Sequence, residues 1–418
     1  MTTFLLHDAV VLDESGGWHG PADVLVRDGV VERVGPGLRE EQVPHVDASG
    51  LWVMPGVFDC HAHPAMGSRD ELVLLRTPIT EWALAAADAL RRTLLGGVTF
   101  VRDAGGVDSG LRTAIRRGYC SGPELQLSIV LLSQTGGQMD GFLAGPGLEL
   151  PMGYVVPDYP GRPTWRADGV DEVRKAVREV LRAGADWVKV CAGSGAHVEG
   201  QDWNGVEYTP EELAAAVEEA ARRGKPVMAD SKTPASIEMC VHAGVRSIEH
   251  GLFLDEERAA LMAAKGVWLV PTHFVYRDLL EQIDRGGLGP QVAAAVLDMT
   301  SRSGDLVRIA KQHGVRIALG SDAYGAWMHG ANLRELVYLH EAGLSVEETL
   351  LTATIHGAEL CGVAGRYGRI APGYVFDAVV LASDPSDLRV FAGPGPAAVY
   401  KAGVLHGHLP DHEERTPE

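Results

Sequence analysis

The sequence predicts an α/β protein: a (β/α)8 TIM barrel with a small β-sandwich built from the two ends of the chain. Three observations predict it. Short β-rich runs open the chain and return near its end. Between them, apolar strand-like runs alternate with helical patterns, and metal-binding or acid–base residues recur where those strand-like runs stop. Strand–helix alternation belongs to parallel sheets covered by helices, and eight rounds of it belong to the barrel.

At the N-terminal end, Phe4 to Leu12, Ala22 to Val26 and Val30 to Val34 are strand-like, with Arg27-Asp28-Gly29 as a tight turn. Barrel strands are expected at Val53–Asp59, Val98–Asp103, Leu125–Leu132, Trp187–Ala192, Pro226–Asp230, Arg246–His250, Val267–Thr272 and Arg316–Asp322. Apolar spacing near 3.6 predicts helices at Ile79–Leu95, Val170–Ala183, Pro210–Arg223, Ala235–Ala243, Gln291–His313 and Val346–Cys361. Ala378 to Leu381 and Ala397 to Val404 are β-rich again and separated by Pro- and Gly-containing turns. The expected division is therefore residues 1–56 with 364–418 as the sandwich, and residues 57–363 as the barrel.

Composition narrows the function. The chain has 418 residues, 46% of them hydrophobic and 22% charged, which supports a large core and excludes disorder. With 37 Lys+Arg against 56 Asp+Glu the net charge is −19, the wrong sign for a phosphate backbone, so nucleic acid is not expected as a partner. The N-terminus lacks a basic leader, and no apolar run approaches the ~20 residues of a membrane span. Five scattered cysteines without a CxxC pair point to a reducing, cytoplasmic setting. A small-molecule substrate is expected, and homo-oligomerisation is left open.

The active site of a barrel forms at the C-terminal ends of its strands. Those ends carry His61 and His63, Asp103, Gln134 with Gln138, Lys189, Asp230, His250, His273 and Asp322. In MPGVFDCHAH (Met54–His63) the two histidines are two residues apart and share one side of a strand, so both can reach one cation. Alone, such a pair reads equally as two structural histidines. In VKVCAGSG (Val188–Gly195), Lys189 lies within an apolar strand and must be paired or neutralised. Carboxylation by CO2 is one way to do that, and it creates a bridge between two cations. SIEHG (Ser247–Gly251) ends a strand in His250, and LGSDA (Leu319–Ala323) ends one in Asp322, where a helix cap is the structural alternative.

Together with GVTFVRDAGG (Gly97–Gly106), AGVRSIEHG (Ala243–Gly251) and GRIAPGYVFDAVVL (Gly368–Leu381), these motifs resemble the amidohydrolase superfamily. The resemblance is to its imidazolonepropionase-like and Xaa-Pro dipeptidase-like branch, and it covers essentially the whole chain. It implies a metal-dependent hydrolase in which His61, His63 and Asp322 hold one divalent ion. It further implies that a carboxylated Lys189 bridges to a second ion held by His250 and one more histidine. That histidine is absent: the strand Val227-Met228-Ala229 ends in Asp230. Either Asp230 ligates the second ion, favouring iron or manganese over zinc, or the second site is weak or empty. A second departure is Gln138, where relatives often carry histidine; it can still donate a hydrogen bond, but not as a cation.

The chemistry expected is attack of an activated water on an acyl carbon, with Asp322 taking and passing on the proton. Residues 133–169, with Tyr154, Tyr159 and Trp165, read as a lid. His273, His329 and Tyr324 are expected beside Gln138 at the substrate, with Trp327 as a wall; for the two histidines a structural role is the alternative. Arg102 and Asp103 are expected to pair at the barrel rim. The leading reading is hydrolysis of an amide, peptide-like or cyclic amide bond. Hydrolysis of an ester or thioester is the second, and a scaffold without activity the third.

Overall fold

The computed structural model describes residues 2–67, 71–143, 145, 147–150, 157, 159–195 and 203–409. Tyr154 and the last residues of the expected C-terminal segment, 410–418, lie outside the described residues.

The two ends of the chain meet. Strands Phe4–Leu12, Trp18–Arg27, Val30–Gly35, His45–Asp47 and Trp52–Pro55 join Ala378–Leu381, Ala398–Lys401 and Val404–Gly407 in one mixed eight-stranded sheet. Trp52–Pro55 is the seam, parallel to Phe4–Leu12 on one side and antiparallel to Ala378–Leu381 on the other. The sheet curls until its far edge bonds back, Val31 N donating to Tyr374 O and Phe376 N to Gly29 O, both at 2.8 Å. Phe4, Val24, Val53, Phe376 and Tyr400 fill the enclosed face, with Phe4 stacked on Tyr400 at 5.3 Å. Burying such aromatic rings is the main stabilising term of this small unit.

The middle of the chain forms two all-parallel sheets. One runs Ala323–Tyr324, Val57–His63, Val98–Asp103, Glu124–Gln126; the other runs Trp268–Val270, Ser247–His250, Val227–Ser231, Val188–Cys191, Leu131–Leu132. Two segments connect them. Residues 124–132 supply a strand to each sheet. Residues 316–322 bond to both, through Leu269 N to Arg316 O (2.9 Å), Cys60 N to Leu319 O (2.8 Å) and Asp322 N to His61 O (2.7 Å). Strands buried on both faces read as continuous apolar runs, as these do. Val57, Val101, Val190, Val227 and Ile248 face the helices, whereas Phe58, Phe100, Met228, Trp268 and Ala318 pack together on the inside. That apolar layer leaves the polar residues of the strand ends as a separate tier.

Four expected elements are broken. The run Leu125–Leu132 is two short strands, interrupted where Ile129 adopts φ 68°. Arg316–Asp322 makes backbone hydrogen bonds but only a single bridge, at Ile317. The helix expected over Gln291–His313 is Pro290–Arg302 and Leu306–Gln312, parted where Ser303 turns extended just before Gly304. That over Val346–Cys361 is Val346–Ala353 and Ile355–Leu360, parted at Thr354, whose hydroxyl bonds back to Leu350 O at 2.8 Å. Apolar spacing continues through each break, so it could not reveal them. No helix among the described residues is long and apolar enough to cross a membrane.

Candidate metal centre

Alternation along a strand places His61 and His63 together but does not say on which side. Up to Cys60 the even-numbered residues point inward, with Phe58 and Cys60 in the inner layer. The register then shifts between Asp59 and Ala62, a bulge that exchanges the two sides. Beyond it the odd-numbered His61 and His63 face the site. Three other residues here hold the left-handed backbone that side chains rarely adopt: His250 (φ 70°), Thr272 (φ 57°) and Asp322 (φ 51°). Such strain collects where a site must be built against backbone preference.

The side chains converge. One ligand atom each from His61, His250 and Asp322 lies within 4.8 Å of the others. Asp322 Oδ1 is 3.4 Å from His61 Nε2 and 3.3 Å from His63 Nε2. Lys189 Nζ lies 3.5 Å from His61 Nε2 in full burial. Each ring is tied at its other nitrogen. His61 Nδ1 donates to Glu249 Oε2 at 2.7 Å and His63 Nδ1 to Gly105 O at 2.9 Å, while His250 Nδ1 sits 2.7 Å from Thr272 Oγ1. A nitrogen bonded to a carboxylate or carbonyl carries the proton, so the Nε2 lone pairs of His61 and His63 face inward. Anchoring of this kind is the usual support of metal-bound imidazoles. The donor set of two to three imidazoles and a carboxylate fits one divalent ion.

Electrostatics favour a neutral His61 beside an ionised Asp322, whereas His63, although burial opposes it, is raised above the usual imidazole pKa by its contact with Asp322. Burial, joined by the charge of Lys189, holds His61 well below the usual imidazole pKa, so it stays a neutral donor. Burial works against ionised Asp322, but the imidazoles of His61 and His63 outweigh it and keep the carboxyl below the ordinary carboxylate range. Below the site, Arg102 Nη2 donates to both oxygens of Glu249 at 2.9 and 2.8 Å, and its Nη1 donates to Ser247 Oγ at 2.9 Å. Asp59 accepts from His61 N (3.1 Å), Ser321 N (3.0 Å) and Asn332 Nδ2 (2.8 Å), joining the His61 strand to the Asp322 loop.

The expected pair of Arg102 and Asp103 does not form. Neighbours in a strand point to opposite faces: Arg102 turns inward to Glu249 and lies over Trp187 at 4.6 Å, and Asp103, its carboxyl pushed up to about 6 by burial, accepts from Val107 N at 3.3 Å. Asp230 is beside the cluster, not within the convergent group. Its Oδ1 is ion-paired with Lys232, and its Oδ2 lies 3.2 Å from His250 Nε2 and 3.0 Å from Gln138 Nε2. Gln138 thus gives one of its two amide hydrogens to Asp230. Its buried Oε1 has no partner among the described residues, so it offers an acceptor where a donor was expected.

His273 and His329 are buried with Nε2 unpartnered among the described residues, and burial lowers both to about 4. His329 Nδ1 is 3.0 Å from Thr93 Oγ1. Tyr324 is buried with its hydroxyl accepting from Gln282 Nε2 at 2.8 Å, so only its ring can serve as a wall; Trp327 is half exposed beside it. Of the 133–169 segment, the described part is tied at its ends, Ser133 N to Trp165 O and Ala167 N to Ser133 O, and Tyr159 stacks on Trp82. Sequence reasoning passed over Glu249, Lys232 and Asp59. Lys232 carried a signal, since it stands two positions after Asp230.

A family model described as the Amidohydrolase family matches residues 52–409. The ochratoxinase of Aspergillus niger is 33% identical over 367 residues, covering 84% of this chain and 75% of that protein, and its crystal structure superposes with a TM-score of 0.84. A prolidase complexed with N-methylphosphonate-L-proline is 31% identical with a TM-score of 0.88, covering 98% of this chain and 100% of that one. A Xaa-Pro dipeptidase with methionine in its active site is 26% identical with a TM-score of 0.86, covering 97% and 100%.

Proposed function

The chain belongs to the amidohydrolase family and is a hydrolase, and on that premise we propose that it cleaves an amide or peptide-like bond of a small molecule at a divalent metal centre. The observation that carries this reading is the convergence of His61, His250 and Asp322 within 4.8 Å, with His63 against the same carboxylate. The two parallel sheets, joined through residues 124–132 and 316–322, are read as one closed (β/α)8 barrel over residues 57–363. Residues 1–56 and 364–418 are read as its second domain.

A divalent ion held by this donor set supplies Lewis-acid activation of water and of the acyl oxygen. The chain's own residues do the rest. His61, held neutral by burial, presents its Nε2 atom and is fixed by Glu249, while His63, fixed by Gly105, is raised by Asp322 and would have to be neutral to serve as a ligand. Asp322, kept ionised, accepts the proton of the attacking water and returns it to the leaving nitrogen. Lys189, buried 3.5 Å from His61, is the side chain that CO2 would carboxylate, adding carbamate oxygens to the donor set. Gln138 Oε1 and the open Nε2 atoms of His273 and His329 are the polar groups offered to substrate, and the Tyr324 ring walls the pocket.

The prolidase and Xaa-Pro dipeptidase neighbours favour a peptide-like bond by their names. The second reading, an ester or thioester, is motivated by Gln138, whose buried Oε1 has no partner among the described residues. A panel of dipeptides, N-acyl amino acids, lactams and acyl thioesters tests both. Turnover is expected on amide or peptide bonds, lost on chelation and restored by added divalent metal. Faster turnover of thioesters would replace the amide reading with the second one.

A further inference from the structure

Asp230 stands one residue before the end of the strand Val227–Ser231 at the edge of the metal centre, where a second cation would need a ligand, and each of its oxygens already has a partner there. One oxygen forms an ion pair with Lys232, and the other accepts from Gln138 Nε2 at 3.0 Å and lies 3.2 Å from His250 Nε2. Both members of the ion pair are buried, with side chains 4% and 6% exposed. Lys232 stands two positions beyond Asp230, so the two side chains leave the backbone on the same side. A carboxylate already neutralised by an ammonium group brings no net charge to a second cation. A divalent ion beside it would also face the full positive charge of Lys232 at a range where screening is weak. The residues present fit one ion and do not fit a second.

We propose that the buried Asp230–Lys232 pair takes the place of a second cation, so that the centre holds one divalent ion per chain. This rests on the metal-dependent reading above and makes it more specific. The positive charge that a second metal would supply comes instead from the Lys232 ammonium, carried by the chain itself. His250 then turns to the remaining ion. His250 already belongs to the group formed with His61 and Asp322, and its Nδ1 lies 2.7 Å from Thr272 Oγ1. Gln138 completes the substitution, because its amide donor satisfies the Asp230 oxygen that a metal would otherwise occupy.

The test is metal stoichiometry on the full chain, independent of any substrate. The protein is stripped with a chelator, reloaded with excess zinc or manganese chloride, desalted, and assayed for metal per chain by mass spectrometry. The wild type is expected to hold about one ion. The double substitution Asp230→His with Lys232→Ala, which supplies an imidazole and removes the ammonium, is expected to raise this to about two. Lys232→Met, which only removes the cation, is expected to move in the same direction and serves if the double variant does not fold. Two ions in the wild type would overturn the proposal while leaving the hydrolase reading intact. About one ion in both folded variants would overturn the assignment to the pair. A wild type that binds none would remove the metal-dependent reading, and the proposal with it.

Discussion

On one side of the site, His61 and His63 have Nδ1 tied to protein acceptors and Nε2 turned inward onto one shared carboxylate oxygen of Asp322, at 3.4 and 3.3 Å. On the other side, Asp230, Lys232 and Gln138 are just as buried and just as polar, yet they spend most of their bonding on each other. The first arrangement gathers donor atoms around one point. The second is an ion pair closed on itself through Lys232. Both sides are buried and polar, so burial alone does not distinguish a ligand from an ion pair; the convergence of several donor atoms on one point does.

The largest expected effect breaks the comparison at Asp322. Asp322→Asn keeps the shape and a carbonyl oxygen but removes the proton acceptor, so turnover should fall by roughly 10³-fold or more, from a step usually worth ~10²–10⁴. The histidines should keep most of the metal. Steady-state kinetics on the best amide substrate, with metal content measured on the same sample, checks both halves. Full activity in this variant would sink the assignment of Asp322.

A smaller effect sharpens the other side. Glu207 lies behind Gln138, accepting from its backbone N at 2.5 Å and from Ser133 Oγ at 3.0 Å, and burial pushes its carboxyl up to about 7. A raised carboxyl favours the folded state while protonated. Its stabilising contribution is therefore complete below the unfolded value of about 4.5 and is lost as pH climbs through about 7, a swing on the order of 3 kcal/mol. Glu207→Gln removes that titration. Its melting temperature relative to wild type should rise across this window, and parallel curves would show that Glu207 does not titrate there.

Much of the metal-facing side could be read from sequence, because its residues stand at strand ends and the fold class says strand ends are where chemistry collects. His61, His63, His250 and Asp322 all came from that rule. What could not be read depended on departures from regular alternation. His250 and Glu249 are adjacent and should face opposite ways, but the left-handed backbone of His250 lets both serve one site. Arg102 was paired with its neighbour Asp103 when its partner is Glu249, 147 positions away. The alternation of strand and helix was visible, whereas the breaks at Ile129 and Thr354 were not, since a single residue's backbone angle leaves no trace in apolar spacing.

Glu249 offers the finest cut between the two sides, because it acts on a ligand without facing the ion. It accepts the hydrogen bond of His61 Nδ1–H at 2.7 Å and is itself clamped by Arg102 and by Ser247 Oγ at 2.5 Å. Glu249→Gln preserves size but weakens the acceptor, and its amide can donate to Nδ1, turning the Nε2 proton toward the site. Outer partners of this kind usually contribute ~10–100-fold in metal affinity. A loss in that range should appear as a weaker zinc dissociation constant measured against a competing chelator, larger than any change from Gln138→Ala on the opposite side. A merely structural role would lower the melting temperature of the metal-free protein and leave the dissociation constant within twofold. Since a fixed tautomer is what separates the open histidines from the spent ion pair, an unchanged constant would mean that the metal-facing side is organised by packing alone.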